Sequence, residues 1–218
     1  MGQIFHRSAN TYAKLSIVFA VLLMVVLSWV AFTLHGSPYL TRQYVPRDQQ
    51  VPFSHSHHIR GLGIDCRYCH TSVEESAFAG IPPTETCMSC HSQVWTEAPM
   101  LEPVRASWRD ELPLEWNRVH DLPDFAYFNH SVHVKKGVGC VTCHGPVDKM
   151  PLVFQAATLH MGWCLDCHRN PELYVRPREE VFNVDWAPPE GTTQEELGLQ
   201  LVEDYGIRSL ESCSTCHR

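Results

Sequence analysis

The chain has no cysteine to spare. All 10 of its cysteines fall in five copies of Cys-x-x-Cys-His, so none is left to tie distant segments by a disulfide. It is also short of positive charge. Against 24 Asp and Glu there are 17 Lys and Arg, and the formal net charge of -7 argues against nucleic acid as a partner. Only one stretch, Leu15 to Leu34, is apolar enough to span a bilayer. No Ala-x-Ala follows it to mark removal by a signal peptidase. The roughly 180 residues after it make a typical single-domain length, with no room for a separate output domain.

What is there in place of these is the repeated motif. Its copies are Cys66-Arg67-Tyr68-Cys69-His70, Cys87-Met88-Ser89-Cys90-His91, Cys140-Val141-Thr142-Cys143-His144, Cys164-Leu165-Asp166-Cys167-His168 and Cys213-Ser214-Thr215-Cys216-His217. Two thiols three positions apart can each form a thioether to one haem vinyl group, and the next histidine can then face the iron as proximal ligand. A zinc site commonly takes two Cys-x-x-Cys pairs, and five pairs leave one without a partner. Neither zinc nor a disulfide across each pair explains a histidine after every second cysteine. The motifs therefore predict five covalently bound c-type haems, with His70, His91, His144, His168 and His217 as proximal ligands. With so little protein around them, the haems themselves form the core.

At the N-terminal side, Arg7 and Lys14 precede the apolar run, and Tyr12, Trp29 and Tyr39 sit where an aromatic belt would lie. The reading is a cytoplasmic N-terminus over 1–14, an uncleaved anchor over 15–34 and a polar tether over 35–52. A haem domain on the periplasmic side of a bacterial cytoplasmic membrane follows over 53–218. Arg42 and Arg47 weaken the charge asymmetry, but haem attachment after export sets the same orientation.

An internal duplication organises the haem domain. Phe53-Ser54-His55-Ser56-His57-His58 precedes the first motif, and Phe128-Asn129-His130-Ser131-Val132-His133 precedes the third. Both read Phe-x-His-x-x-His. The two dihaem units span 53–91 and 128–168, and a fifth haem site at 213–217 is appended. Six-coordinate haems need a distal ligand, and two histidines three apart on a helical turn can serve two neighbouring irons. His55, His58, His130 and His133 are the candidates, with His57 as a spare. The fifth distal ligand stays open among His120, Met161, His160 and Met150, with His120 first and Met161 second.

Between the units, 97–125 reads as a wrapping segment with short helical turns. The stretch from Arg169 to Glu190, with Pro171, Pro177, Pro188 and Pro189, reads as extended. Thr193-Gln194-Glu195-Glu196 forms a capping-box pattern that predicts a helix from Gln194 to Asp204, closed by Gly206. The fold class is mostly α-helical and irregular: one N-terminal transmembrane helix plus a haem-packed multihaem cytochrome c domain with little regular structure.

Several pieces together resemble the pentahaem cytochrome c subunit of alternative complex III, a bacterial quinol-oxidising complex of respiratory or photosynthetic chains. They are Gly63-Ile64-Asp65-Cys66-Arg67-Tyr68-Cys69-His70, Ala79-Gly80-Ile81-Pro82-Pro83-Thr84, Leu122-Pro123-Asp124-Phe125, Phe128-Asn129-His130-Ser131-Val132-His133, Met161-Gly162-Trp163-Cys164 and Cys213-Ser214-Thr215-Cys216-His217-Arg218. The resemblance covers Phe53 to Arg218 together with the anchor. It implies an electron-relay subunit, not an enzyme on its own. Electrons would come from an iron–sulfur subunit, beside polytopic membrane subunits that bind quinol. They would pass to a monohaem cytochrome c or a soluble periplasmic carrier. The leaders also resemble those of small class III multihaem cytochromes, where the first histidine serves the local haem. By that analogy His55 serves the haem of His70, and His130 that of His144.

The alternative function is a stand-alone anchored quinol dehydrogenase feeding a periplasmic reductase, though such tetrahaem proteins carry four haems in a different pattern. A multihaem reductase would need an open iron, often marked by Cys-x-x-Cys-Lys, and all five motifs here end in His.

Overall fold

The computed structural model describes residues 4–217. Met1–Gln3, in the expected cytoplasmic N-terminus, and Arg218, the last residue of the expected haem domain, lie outside the described residues. About half of the chain is helical, and no strand occurs among the described residues. The chain divides into two compact units, one ending at Gln43 and the other beginning at Tyr44.

The first unit is dominated by α1 (Ala9–His35), a helix of 27 residues with a mean hydropathy of 2.7 and no buried residue. At 1.5 Å per residue it is about 40 Å long, enough to cross a hydrocarbon core of about 30 Å. It starts six residues before the apolar run, because no proline or glycine interrupts Ala9 to Lys14. A single turn, α2 (Pro38–Thr41), follows, with Pro38 at its first position.

The second unit is built from short helices. Four of them begin at or just before an attachment motif: α3 (Cys66–Cys69), α7 (Cys140–His144), α8 (Met161–Arg169) and α10 (Cys213–Cys216), while α4 (Thr84–His91) carries the second motif in its last turns. The start of α3 is fixed by Asp65, whose side chain accepts from the Arg67 backbone N–H at 2.8 Å. Between the second and third motifs lies α5 (Glu102–Asp110), and α6 (His130–Lys135) carries the second leader. The first leader forms a widened π-turn over Ser56–Gly61 instead. Last, α9 (Gln194–Asp204) is closed at its N-terminus by the reciprocal hydrogen bonds of Thr193 and Glu196.

The apolar core is small. Val51, Leu101 and Val104 form one buried cluster, with Leu114 and Trp116 against it. Because Val51 is buried there, the chain is already packed before the first leader. Gln49 and Asn117 exchange hydrogen bonds at 2.8 Å in both directions. Met150, Val175 and Val181 form a second set of buried side chains. Met150, one of the four fifth-ligand candidates, is thus a core residue, packed against Gly145. The segment 175–186 holds one proline, Pro177, and forms a 3-10 turn over Arg178–Glu180 where an extended run was expected; it packs along the third motif. Val175 bridges to Val138, and the Val181 carbonyl accepts from Cys140 N–H at 3.2 Å.

Candidate metal centres

Each motif is helical or ends a helical turn, so its two cysteines and its histidine, at i, i+3 and i+4, lie on one face. All ten thiols are free, so no disulfide closes a Cys-x-x-Cys pair. Among the described residues no group of three or more His, Cys, Asp or Glu side chains converges to hold a metal ion.

Six of these histidines share one device. His70 Nδ1 lies 2.7 Å from the Gly80 carbonyl oxygen, His91 Nδ1 3.1 Å from that of Val94, and His217 Nδ1 3.0 Å from that of Phe125. The leaders repeat it: His58 Nδ1 lies 2.8 Å from Ser54 O, His133 Nδ1 2.7 Å from Asn129 O and His130 Nδ1 2.8 Å from Ala77 O. An Nδ1–H donating to a carbonyl fixes the tautomer and leaves Nε2 with a lone pair, as a metal-binding imidazole requires.

Ring separations test whether these nitrogens fit an iron. Two imidazoles bound to one iron, each nitrogen about 2 Å from it, hold their ring centroids about 6.3 Å apart. His58 and His91 stand 6.4 Å apart, His133 and His168 6.2 Å, and His130 and His144 6.4 Å. Each pair joins a leader histidine to a motif histidine, and the donor set fits haem iron. The duplication extends to the supporting ring. Phe53 lies edge-on to His55 at 4.9 Å and stacks on His58 at 4.3 Å; Phe128 does the same to His130 at 4.8 Å and His133 at 4.3 Å.

The remaining candidates differ. His55 and His120 each present a buried ring nitrogen without a hydrogen-bond partner, Nδ1 in one and Nε2 in the other. His55 lies within electrostatic reach of His70, His58 and His120. His120 touches His144 with centroids 4.3 Å apart, too near for the two to share an iron. Met161 is 63% exposed at the start of α8, and His160 precedes it as the N-cap. His57 stacks on Trp95 at 5.9 Å.

Burial keeps the inner imidazoles neutral. Desolvation, then the neighbouring His120 and His130, pushes His144 down to about 3. Desolvation also takes His55 and His120 to about 4 and lowers His133. A neutral imidazole is the form that ligates a metal.

The motifs also touch one another. Tyr68 and Ser89 hydroxyls lie 3.0 Å apart, linking the first motif to the second. The Cys66 and Cys140 thiols lie close enough to interact, linking the first to the third; that interaction and then burial raise the Cys140 thiol. Burial, and then the charges of Cys167 and Cys164, push Cys143 up to about 12, so the fourth motif lies within reach of the third. Arg169 donates to Glu211 at 2.7 Å, bringing the flanks of the fourth and fifth motifs together. In space the order is second, first, third, fourth, fifth.

Sequence reasoning passed over the backbone carbonyls that orient the rings, and the arginines around the motifs. Arg60 grips Asp148 and Asp185, and Arg67 pairs with Asp65 and covers the Phe182 ring at 4.5 Å. Only the position of Arg67 inside a motif hinted at this.

The chain matches no protein-family model. It is similar to the multihaem cytochrome c subunit of a menaquinone reductase from Nitratidesulfovibrio vulgaris (strain Hildenborough), with 29% identity over 148 residues, covering 58% of this chain and 70% of that protein. The similarity supports a multihaem cytochrome c.

Proposed function

We propose that this chain is the membrane-anchored electron-relay subunit of a quinol-linked complex. It binds five c-type haems through its five motifs, in the manner of the pentahaem subunit of alternative complex III. The observation that carries the reading is the set of three leader–motif imidazole pairs at 6.2–6.4 Å. Such pairs suit closed, six-coordinate centres that carry electrons and leave no iron open to a substrate.

Bound haem supplies a reversible one-electron couple. The chain's residues do the rest. The ten cysteines tether, and His70, His91, His144, His168 and His217 ligate from the proximal side. His58 serves the site of His91, His130 that of His144, and His133 that of His168. His55, in the duplicated position of His130, serves the site of His70. Nδ1–carbonyl bonds hold the rings, and burial keeps them unprotonated. The fifth site takes its distal ligand from Met161 or its neighbour His160, because α8 also carries the fourth motif, which lies beside the fifth. The order of motif contacts supports one continuous path whose ends are the second and fifth sites.

α1 anchors the chain, with the haem domain on the periplasmic side. Electrons then enter from an iron–sulfur subunit and leave to a monohaem cytochrome c or a soluble carrier. A second reading reverses the direction, because the relative is named a menaquinone reductase. In that case electrons would flow towards quinone.

The test is a subunit inventory of the native complex in mild detergent, by mass spectrometry with a haem count. Co-purification with an iron–sulfur subunit and polytopic subunits, at five haems per chain, supports the relay. A chain that runs alone and still takes electrons from quinol is a stand-alone dehydrogenase, and the relay reading fails. In the same preparation His130→Ala turns one haem high-spin. Five unchanged low-spin haems would remove His130 from the ligands.

A further inference from the structure

Arg176 is a buried cation that no carboxylate of the described residues pairs with. It lies in the segment 175–186 and is only 7% exposed. Its backbone N–H donates to the Gly137 carbonyl at 2.8 Å, which brings the side chain against the third motif. A Cβ on Gly139 would stand 2.3 Å from the Arg176 guanidinium carbon, so any other residue there would push the guanidinium out of this position. The residue after Gly139 is Cys140, the first attachment thiol of that motif.

The guanidinium lies over the Trp186 ring at 4.8 Å and donates Nη1–H to the Asn183 carbonyl at 3.1 Å. Its Nε is buried with no hydrogen-bond partner. Among the described residues no carboxylate lies within ion-pair distance of it. Glu180 acts on it only through space, and one Glu180 oxygen already accepts from Asn183 Nδ2 at 2.6 Å.

A guanidinium stays charged under all working conditions, and removing it from water without an anion is costly. In a low-dielectric interior its field is weakly screened. The group that gains from such a field is one that takes up an electron beside it. We propose that Arg176 is a tuning residue: its buried positive charge, set against the third motif, raises the reduction potential of the haem attached at Cys140 and Cys143. The proposal rests on the haem reading above. Arg176 touches no reacting atom and acts through its field. The rival role is mechanical, a rivet between the segment 175–186, Trp186 and Gly139.

The experiment is an equilibrium redox titration of the purified complex, followed optically and by electron paramagnetic resonance. It compares wild type, Arg176→Gln, Arg176→Met and Arg176→Lys. Gln keeps a donor for the Asn183 carbonyl and so guards against a Met variant that fails to fold. In Gln and Met, one of the five one-electron equilibrium constants for reduction falls about tenfold, equivalent to about 59 mV. Lys retains the wild-type value. The haem that moves is the one that His130→Ala turns high-spin. Five unchanged midpoints in a Gln variant that keeps its haems overturn the proposal, as does an equal fall in Lys and Gln. A haem count of zero in the wild-type chain would instead overturn the haem reading.

Discussion

Asp148 is among the most buried side chains of the chain, and Arg60 is what makes that tolerable. The Arg60 Nε–H donates to the carboxylate at 2.5 Å, while its terminal nitrogens hold Asp185 at 2.5 and 2.8 Å. The Asp148 side chain is 2% exposed. One guanidinium thus ties the first leader to the loop after the third motif and to the segment 175–186. Asp148→Ala should destabilise the holoprotein by about 1–3 kcal/mol. Arg60→Met should cost more, because it strands a buried carboxylate, and denaturant melts of the two variants check the ranking. The Arg60 hydrogen bonds also hold Asp185 below its ordinary value of 3.8. A carboxyl whose folded pKa is depressed stabilises fully above its unfolded value and stops doing so as pH falls through the lower, folded one. Acidification below about pH 4 should therefore weaken this clasp. Asp185→Asn should remove that part of the acid dependence, and Tm measured against pH reads it.

At the scale of elements, α9 was legible and the helices that carry the motifs were only half legible. The start at Gln194 follows from Thr193 and Glu196, a signal contained within four residues, and Gly206 lies just past the end at Asp204. The packing of α9 is not local. Gly198 faces residues 171–173, and a Cβ there would stand 1.9 Å from the Glu172 carbonyl oxygen. Thr193→Ala should cost about 1 kcal/mol through the lost cap. Gly198→Ala should cost roughly 1–3 kcal/mol, because the helix must lift from its neighbour. Thermal melts that rank the two the other way would mean that the cap, not the contact, holds α9. The leaders show the opposite limit. Their shared pattern predicts shared geometry, and Phe53 and Phe128 repeat their ring contacts to within 0.1 Å, 4.9 against 4.8 Å and 4.3 Å in both. Yet one leader is a π-turn and the other an α-helix. Ring placement is conserved between the copies while the backbone route is not, because the pairing geometry constrains the rings.

For the whole molecule, the scarcity of buried apolar side chains has a direct consequence. A handful of residues such as Val104, Met150, Val175 and Val181 cannot offset the conformational entropy of a unit this long. Large apolar groups such as Phe78, Ile81 and Tyr127 are more than half exposed. The haem faces are the surface that would cover such groups. A chain produced without haem attachment should show no cooperative thermal transition by far-UV circular dichroism and should be cut rapidly by protease. A sharp melt of haem-free chain would mean that the protein core suffices and that the cofactors are guests.

The sequence by itself determined what is local along the chain. The five Cys-x-x-Cys-His motifs, the long apolar helix α1, the duplicated leaders and the capped helix α9 are each written within a few consecutive residues or one apolar run. Local rules of spacing, length and capping read them without knowledge of the rest. Only the tertiary structure decided the order of the motifs in space, the carbonyls that orient six of the rings, the motif partners of His58, His130 and His133, and the burial of Arg176. The reason is physical. Short helices without a strong apolar period, joined by proline-rich segments, carry no pattern that specifies their mutual packing. That packing is set by contacts between residues far apart in sequence, such as His130 with Ala77, His217 with Phe125 and Arg60 with Asp185.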